Sequence, residues 1–210
     1  MNVLSIDFDI IMAPDINLYN SKVGHHGETI DKLIEVFPLL GDIRVDFRHY
    51  QILLNYILEA TKHIRVEDIR ISQTHEDIKN VLAYCQDATV YNIDHHHDLG
   101  YGNNPPKDEN GETPCTCANW GEIFLEKGNI SHLVWLKNTN SEYELEGNLD
   151  RFGDKLEIKD LYTVSLKDLP QMDKIFICLS PEWVPSTYHP LFYTILDLIN
   201  AQKNCHLEVH

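Results

Sequence analysis

A run of five candidate metal ligands, DHHHD at positions 94–98, ends an apolar segment that predicts a β-strand over residues 88–94. Asp94, His96 and Asp98 are spaced by two, so their side chains point to one side of an extended segment. The alternative is a solvated polar turn at the end of a strand. Because carboxylate and imidazole groups converge on one side, the run favours a metal site at the end of a buried strand.

A second pair of carboxylates, Asp7 and Asp9, follows the first predicted strand, residues 3–7, in the same way. Taken alone, this pair is typical of turn or capping residues. Ligand sites in open parallel sheets form at the ends of the strands, so two neighbouring strands would bring four carboxylates into one cleft. Burying four unpaired charges there is highly unfavourable, and two divalent cations remove the repulsion. Oxygen and imidazole donors favour manganese, with iron, cobalt and zinc as alternatives.

Apolar strands alternate with helical patterns along the chain, which predicts an α/β fold with a mostly parallel central sheet flanked by helices. Thr74 is expected to cap a helix over residues 75–84. Residues 100–114 predict a surface loop, residues 138–160 show little periodicity, and residues 1–210 are expected to form one domain. Further strands are predicted over residues 69–72, 132–136, 161–165 and 174–179, and further helices over residues 50–60, 119–127 and 190–201.

The charge of the chain restricts its partners. A formal net charge of -16 over 210 residues disfavours nucleic acid and anionic membrane surfaces as partners, and it attracts cationic ligands.

No apolar run reaches the roughly 18 residues of a membrane helix, and the first residues lack the features of a signal peptide, so we expect a cytoplasmic protein. Five cysteines at irregular spacing favour reduced thiols over a disulfide framework. Homo-oligomer formation is left open.

The acidic motifs resemble those of one known superfamily. DHHHD resembles the Asp-x-His-x-Asp metal motif of the arginase and deacetylase superfamily, and SIDFDIIMAPD at positions 5–15 resembles its Ser-x-Asp-x-Asp element. VDFRH at positions 45–49 opens the strongest helical pattern, so His49 is the match for that superfamily's histidine at the start of a helix. The early Ser-x-Asp-x-Asp element, the short chain and LSPEW at positions 179–183 look most like the atypical arginases that convert arginine to ornithine in ribosomally made peptides.

This resemblance implies a three-layer α/β fold and a hydrolytic centre with two Mn²⁺ ions, at which water attacks the guanidinium carbon and urea leaves. The implied partner is an arginine-containing precursor peptide. Free arginine is disfavoured because the asparagine and serine pattern that holds the free amino acid is not recognisable in residues 99–119. The implied ligands are His49, Asp94, Asp98 and Asp7 for one ion, and Asp94, His96, Asp7 and Asp9 for the other.

A guanidinium substrate needs an acidic partner that accepts paired hydrogen bonds. Glu182 is our candidate, together with Trp183, whose ring is suited to stack on the guanidinium. The alternative is an exposed loop carboxylate beside a tryptophan that anchors the core. Asn119 is a further candidate for lining the pocket, with a role at the start of a helix as the alternative.

The leaving amine needs a proton, and a histidine is the simplest donor at neutral pH. Four histidines compete for this role, and His97 and His26 are our first candidates. The others are His25 and His95.

Two other functions compete with the peptide arginase. One is a zinc-dependent deacetylase-type amidohydrolase on the same fold. Asp9, Asp98 and the candidate His49 count against it, because that chemistry needs one catalytic metal and dispenses with part of the second ligand set. The other is a non-catalytic metal-binding protein. The metal content and the release of urea distinguish the three.

Overall fold

Six parallel strands form the central sheet of the protein, in the spatial order β4-β8-β1-β5-β6-β7. The computed structural model describes residues 1–13, 29–36, 43–101, 107–139, 141 and 149–207. A smaller antiparallel sheet pairs β2 with β3. The strands are β1 (Asn2–Asp7), β2 (Met12–Ala13), β3 (Arg44–Val45), β4 (Ile69–Ser72), β5 (Ala88–Ile93), β6 (Ile130–Lys137), β7 (Leu156–Asp160) and β8 (Lys174–Cys178).

Helices cover both faces of the central sheet. They are α1 (Ile30–Val36), α2 (Phe47–Thr61), α3 (Lys79–Leu82), α4 (Trp120–Lys127) and α5 (His189–Leu207). The apolar residues of α1, α2 and α5 join one core cluster, and those of α3 and α4 join a second cluster on the opposite face. The predicted α/β fold, with a parallel sheet between helical layers, is therefore confirmed. No helix in the described part of the chain has the length and apolar content needed to cross a bilayer.

The register of β1 determines where the acidic residues meet. This strand lies between β5 and β8, with Ile6 opposite Ile93 on one side and Asp7 opposite Cys178 on the other. Since all three strands run in parallel, their carboxyl ends lie at one edge of the sheet. The neighbouring placement of the two acidic motifs follows from this pairing.

The small sheet fixes the start of α2. Its two strands pair Met12 with Val45, and the backbone N–H of Asp46 donates to the carbonyl oxygen of Ile11 over 2.8 Å. Asp46 then caps the helix, because its carboxylate accepts hydrogen bonds from the N–H groups of Arg48 and His49. The helix that the sequence predicts over residues 50–60 is thereby extended at its beginning.

The predicted strand over residues 161–165 is wrong, and β7 lies in the segment that showed little periodicity. The carboxylate of Asp160 accepts from the N–H of Tyr162 over 2.8 Å, and Thr163 Oγ1 donates to the Asp160 carbonyl, so the chain turns here. β7 is an edge strand with polar and exposed positions, and such a strand needs no continuous apolar run.

The helix predicted over residues 75–84 is present in a shorter and tighter form. Thr74 caps it as expected, by accepting from the N–H of Glu76 over 3.3 Å. A 3-10 turn, His75–Ile78, comes first and α3 follows. The tight first turn directs His75 toward the edge of the sheet where the acidic residues lie.

The start of α4 packs against the loop that follows β5. The N–H of Gly121 donates to the carbonyl oxygen of Asp98 over 2.9 Å. A Cβ atom at Gly121 would lie 3.0 Å from that carbonyl oxygen and 3.2 Å from the Leu99 side chain. Glycine therefore allows the closest approach of the helix to the Asp98 loop.

Gly121→Ala is expected to lower the free energy of unfolding by about 1–2 kcal/mol, because overpacking against a backbone oxygen outweighs the better helix propensity of alanine. Urea denaturation followed by circular dichroism measures the change. Glu126→Ala on the same helix, at an exposed position, is the control and should leave the midpoint within experimental error. Equal midpoints for both variants would contradict the close packing.

Candidate metal centre

Six potential ligands meet at the carboxyl edge of the sheet, and none is more than 9% exposed. Asp7 ends β1 and Asp9 lies in the 3-10 turn that follows. The others are His75, at the start of its 3-10 turn, and Asp94, His96 and Asp98, which follow β5. Two groups within this set have ligand atoms within 4.8 Å of one another: Asp9, Asp94 and His96 form one, and His75, Asp94 and Asp98 form the other. Asp94 belongs to both groups.

His75 faces three carboxylates through one ring nitrogen. Its Nδ1 lies 3.0 Å from Asp94 Oδ2, 3.0 Å from Asp98 Oδ2 and 3.3 Å from Asp7 Oδ2. The other nitrogen, Nε2, lies 2.8 Å from Ser5 Oγ. When Nε2–H donates to Ser5, the lone pair of Nδ1 points at the carboxylates, which is the arrangement of a metal-binding imidazole held by an outer hydrogen bond.

The second group is built around His96. Its Nδ1 lies 2.9 Å from Asp9 Oδ2 and 3.7 Å from Asp94 Oδ1. The backbone N–H of His96 also donates to Asp94 Oδ1 over 2.8 Å, which fixes this carboxylate between the two groups. The ring of Trp183 lies 4.4 Å from the His96 ring, so the tryptophan covers this side of the site.

Outer hydrogen bonds orient three of the carboxylates. Trp120 Nε1 donates to Asp98 Oδ2 over 2.7 Å, and Ser180 Oγ donates to Asp7 Oδ2 over 2.7 Å. Asn92 Nδ2 donates to Asp94 Oδ2 over 3.2 Å. Such partners fix the direction of a ligand and tune its basicity. These three contacts could not be predicted from the sequence, because each joins residues whose proximity depends on the tertiary fold.

One candidate ligand and one residue that orients a ligand have an unusual backbone conformation. Asp98 has a φ of 54° and Ser180 has a φ of 51°, both in the left-handed region. Beyond Ser180, the N–H groups of Trp183 and Val184 both donate to its carbonyl oxygen, and its own N–H donates to the carbonyl oxygen of Gln73. These bonds hold the turn after β8 against the loop that carries His75.

The buried carboxylates of the site repel one another, so the site favours bound protons or cations. Burial and the neighbouring charge of Asp94 raise the pKa of Asp98 to about 8, and burial and the charges of Asp7 and Asp94 raise the pKa of Asp9 well above its usual value. Burial opposes the charged form of His75, but the acidic groups around it, led by Cys178 and Asp98, raise its pKa well above its usual value.

Asp94 differs from its neighbours. Burial opposes its ionisation, but the neighbouring imidazoles of His75 and His96 lower its pKa. Among the described residues, Asp9 Oδ2 and His75 Nδ1 are buried without a hydrogen bond of good geometry, although oppositely charged groups lie within 2.9–3.3 Å. Buried donors and acceptors are rarely left in this state, and divalent cations would satisfy both. The residues present therefore fit metal binding.

Five of the six predicted ligands lie in this centre, and His49 lies in neither group of the described residues. Its Nδ1 is 2.9 Å from Asp46 Oδ2, and its ring packs 4.6 Å from the ring of Tyr162. His75, which the sequence patterns did not single out, lies in the group with Asp94 and Asp98. The signal for His75 was present in the sequence, since a histidine directly follows the Thr74 cap and a predicted strand.

The structure describes two of the four candidate proton donors, His97 and His95. His97 Nδ1 accepts from the N–H of Leu99 over 2.9 Å, the ring stacks 4.3 Å from Tyr101, and burial lowers its pKa to about 4. His95 Nδ1 lies 3.0 Å from Ser141 Oγ, and burial lowers its pKa to about 3. His25 and His26 lie outside the described residues.

The proposed substrate contacts divide into two kinds. Asn119 is buried and structures its own loop, because its side chain accepts from the N–H of Thr116 over 2.7 Å and donates to the carbonyl oxygen of Pro114 over 3.1 Å. Glu182 is half-buried, and no described side chain forms an ion pair or hydrogen bond with it. Burial, and then the charge of Asp7, raise the pKa of Glu182. Glu182 thus remains available to a cation from outside.

Comparison of the chain with protein-family models, with curated proteins and with solved structures gives no match. The function of the protein is therefore inferred from the geometry and chemistry of the site.

The stability of the metal-free protein is expected to fall by about 2 kcal/mol between pH 6.5 and pH 8.5. The folded state raises the pKa of Asp98 to about 8 and that of His75 well above its usual value, so it retains protons that the unfolded chain has lost. Stability from such groups is present at low pH and is lost as the pH rises through the folded-state pKa. Thermal unfolding across this range, with and without a saturating divalent cation, measures it.

The cation is the control in that experiment. Bound metal ions require deprotonated ligands, so a saturated site should not lose stability over the same range. A loss of equal size with and without the cation would show that the buried cluster is not its origin.

Proposed function

We propose that the protein is a hydrolase with a two-cation centre that converts arginine side chains of a peptide to ornithine and releases urea. The observation that carries this proposal is the sharing of Asp94 between two adjacent ligand groups, with the half-buried carboxylate of Glu182 nearby. Adjacent cations linked by a common carboxylate are typical of hydrolytic two-metal sites.

The ligands divide between the two ions as follows. Asp94, which both groups share, would contact both ions, and the resemblance assigns the same role to Asp7. One ion would be held with His75 and Asp98 in addition, and the other with His96 and Asp9. Manganese is our first choice for this donor set, with iron, cobalt and zinc as alternatives. When bound, such a pair supplies a hydroxide-like nucleophile at neutral pH and stabilises the charge that develops on the substrate.

The residues around the centre favour a cationic substrate. A guanidinium stays charged at any physiological pH, and a carboxylate accepts two parallel hydrogen bonds from it. Glu182 offers such a carboxylate, and the next residue, Trp183, packs its ring 4.4 Å from the ring of His96. A substrate bound to Glu182 would therefore lie beside the ligand group that contains His96.

A peptide suits this site better than free arginine. A free amino acid presents a carboxylate that needs its own cationic or amide donors. Within the described part of the chain, the ion pairs of the six ligands involve histidines and carboxylates, with no lysine or arginine among them. The formal net charge of -16 also attracts basic peptides.

Incubation of an arginine peptide with the manganese-loaded protein is expected to reduce the peptide mass by about 42 Da per arginine, the net result of water added and urea lost. Mass spectrometry and a urea assay measure both products. Asp94→Asn should abolish the reaction and reduce the bound metal by at least one equivalent, because it weakens both ligand groups.

Asp87→Asn is the matched control for Asp94→Asn. It changes the same residue type just before the other end of β5, at an exposed position with a φ of 51°, a conformation that asparagine tolerates. Conversion of free arginine without conversion of the arginine peptide would reverse the choice of substrate. Deacylation of an acyl-lysine peptide without urea release would favour the zinc amidohydrolase.

Glu182→Gln is expected to raise the KM for the arginine peptide by roughly 10- to 100-fold, the range set by loss of a charge-assisted hydrogen bond. Its bound metal should stay at the wild-type level, because Glu182 is in neither ligand group. Glu109→Gln, at an exposed loop position, is the control for the loss of one charge. Equal KM values for the two variants would remove Glu182 from the substrate site.

A further inference from the structure

A buried cysteine lies directly beside the proposed metal centre. Cys178 ends β8 and is paired in register with Asp7 of β1. Its sulfur lies within 4.8 Å of ligand atoms of Asp7 and His75, and all three side chains are buried. This third group overlaps the one formed by His75, Asp94 and Asp98 at a single residue, His75.

The surroundings of Cys178 differ from those of an ordinary core cysteine. Cys85 is also buried on this face of the sheet, and its sulfur contacts the carbonyl oxygen of Val81 over 3.3 Å, one turn back along the chain. Cys178 Sγ instead lies 3.4 Å from Ser180 Oγ, the hydroxyl that donates to Asp7. The sulfur thus faces the polar cluster.

A second observation, on His75, also suits a bound cation on this side of the cluster. His75 Nδ1 is buried in a side chain only 2% exposed, and no described group makes a hydrogen bond of good geometry with it. Three carboxylates surround this nitrogen, and the sulfur of Cys178 lies within 4.8 Å of a ring nitrogen of the same side chain. A cation there would have oxygen, nitrogen and sulfur donors within reach, while the cation beside Asp9 and His96 would have oxygen and nitrogen donors only.

We propose that Cys178 is a ligand of the ion held by His75 and Asp7, and that this position takes a thiophilic divalent cation, zinc or cobalt, in preference to manganese. The inference rests on the proposed two-cation centre and refines the metal at one of its two positions. Thiolate selects softer ions, whereas carboxylate and imidazole alone discriminate little among them. On binding, the S–H bond is broken, the sulfur–metal bond forms and the proton is released to solvent.

Titration of the metal-free protein with Co²⁺ tests the proposal without use of catalytic activity. A cobalt–thiolate bond gives a charge-transfer band in the near ultraviolet, and any bound cobalt gives weaker ligand-field bands in the visible. We expect both sets of bands in the wild-type protein. In Cys178→Ser, the near-ultraviolet band should be lost while the visible bands persist, because the carboxylate and imidazole ligands remain.

Two cysteine variants are the controls. Cys85→Ser removes a buried thiol outside the centre, and Cys117→Ser removes an exposed one, so both should keep the band. A band of unchanged strength in Cys178→Ser would overturn the proposal, as would visible bands without a near-ultraviolet band in the wild-type protein. Either result leaves the two-cation centre intact, whereas no uptake of cobalt at all would remove that centre and the inference with it.

X-ray absorption of the wild-type protein gives a test that does not depend on the folding of a variant. With one equivalent of zinc, the first coordination shell should include a sulfur atom at about 2.3 Å in addition to nitrogen and oxygen atoms. A shell of nitrogen and oxygen alone would overturn the assignment of Cys178.

Discussion

Repulsion among four buried carboxylates determines what the rest of the site must provide. Asp7, Asp9, Asp94 and Asp98 meet because β1 pairs in parallel with β5 and because each strand ends at the same edge of the sheet. Burial removes the water that would screen them, so protons or cations must reduce their charge. The histidines supply part of that compensation, and the remaining demand makes the cluster a candidate for divalent metal ions.

The sequence predicted most of this cluster because strand geometry is simple. A spacing of two in an extended segment places side chains on one side, so Asp94, His96 and Asp98 were identified without knowledge of the topology. The α/β architecture followed from the alternation of patterns. His75 was missed in favour of His49 because both histidines stand at the start of a helical pattern, and only the pairing of β4 with β8 decides which one reaches the carboxylates.

Two other features, the strand β7 and the contacts of β8 with Asp7, could not be predicted from the sequence for physical reasons. The strand β7 is polar because it lies at an edge of the sheet, so its pattern resembles a loop. Cys178 and Ser180 stand far from Asp7 along the chain, and their contacts depend on the register of β8 against β1. Long-range register leaves little trace in a single sequence, whereas the local periodicity of each element does.

One short segment joins the candidate metal ligands to the residues proposed to bind substrate. The strand β8 brings Cys178 beside Asp7, and the turn that follows contributes Ser180, Glu182 and Trp183 within five residues. A shift of this turn would move three groups at once: the sulfur of Cys178, the hydroxyl of Ser180 and the carboxylate of Glu182. Metal occupancy and substrate affinity are thus expected to be coupled through one short segment.

The left-handed backbone at Asp98 and Ser180 has a consequence for the evolution and engineering of the protein. Glycine adopts this conformation without steric strain, whereas other residues lose roughly 1 kcal/mol or more there. A change to glycine would relax the backbone at either position but would delete a carboxylate or the hydroxyl that orients one. Stability and the proposed metal binding therefore oppose each other at these two residues, and variants selected only for heat resistance would tend to lose the candidate site.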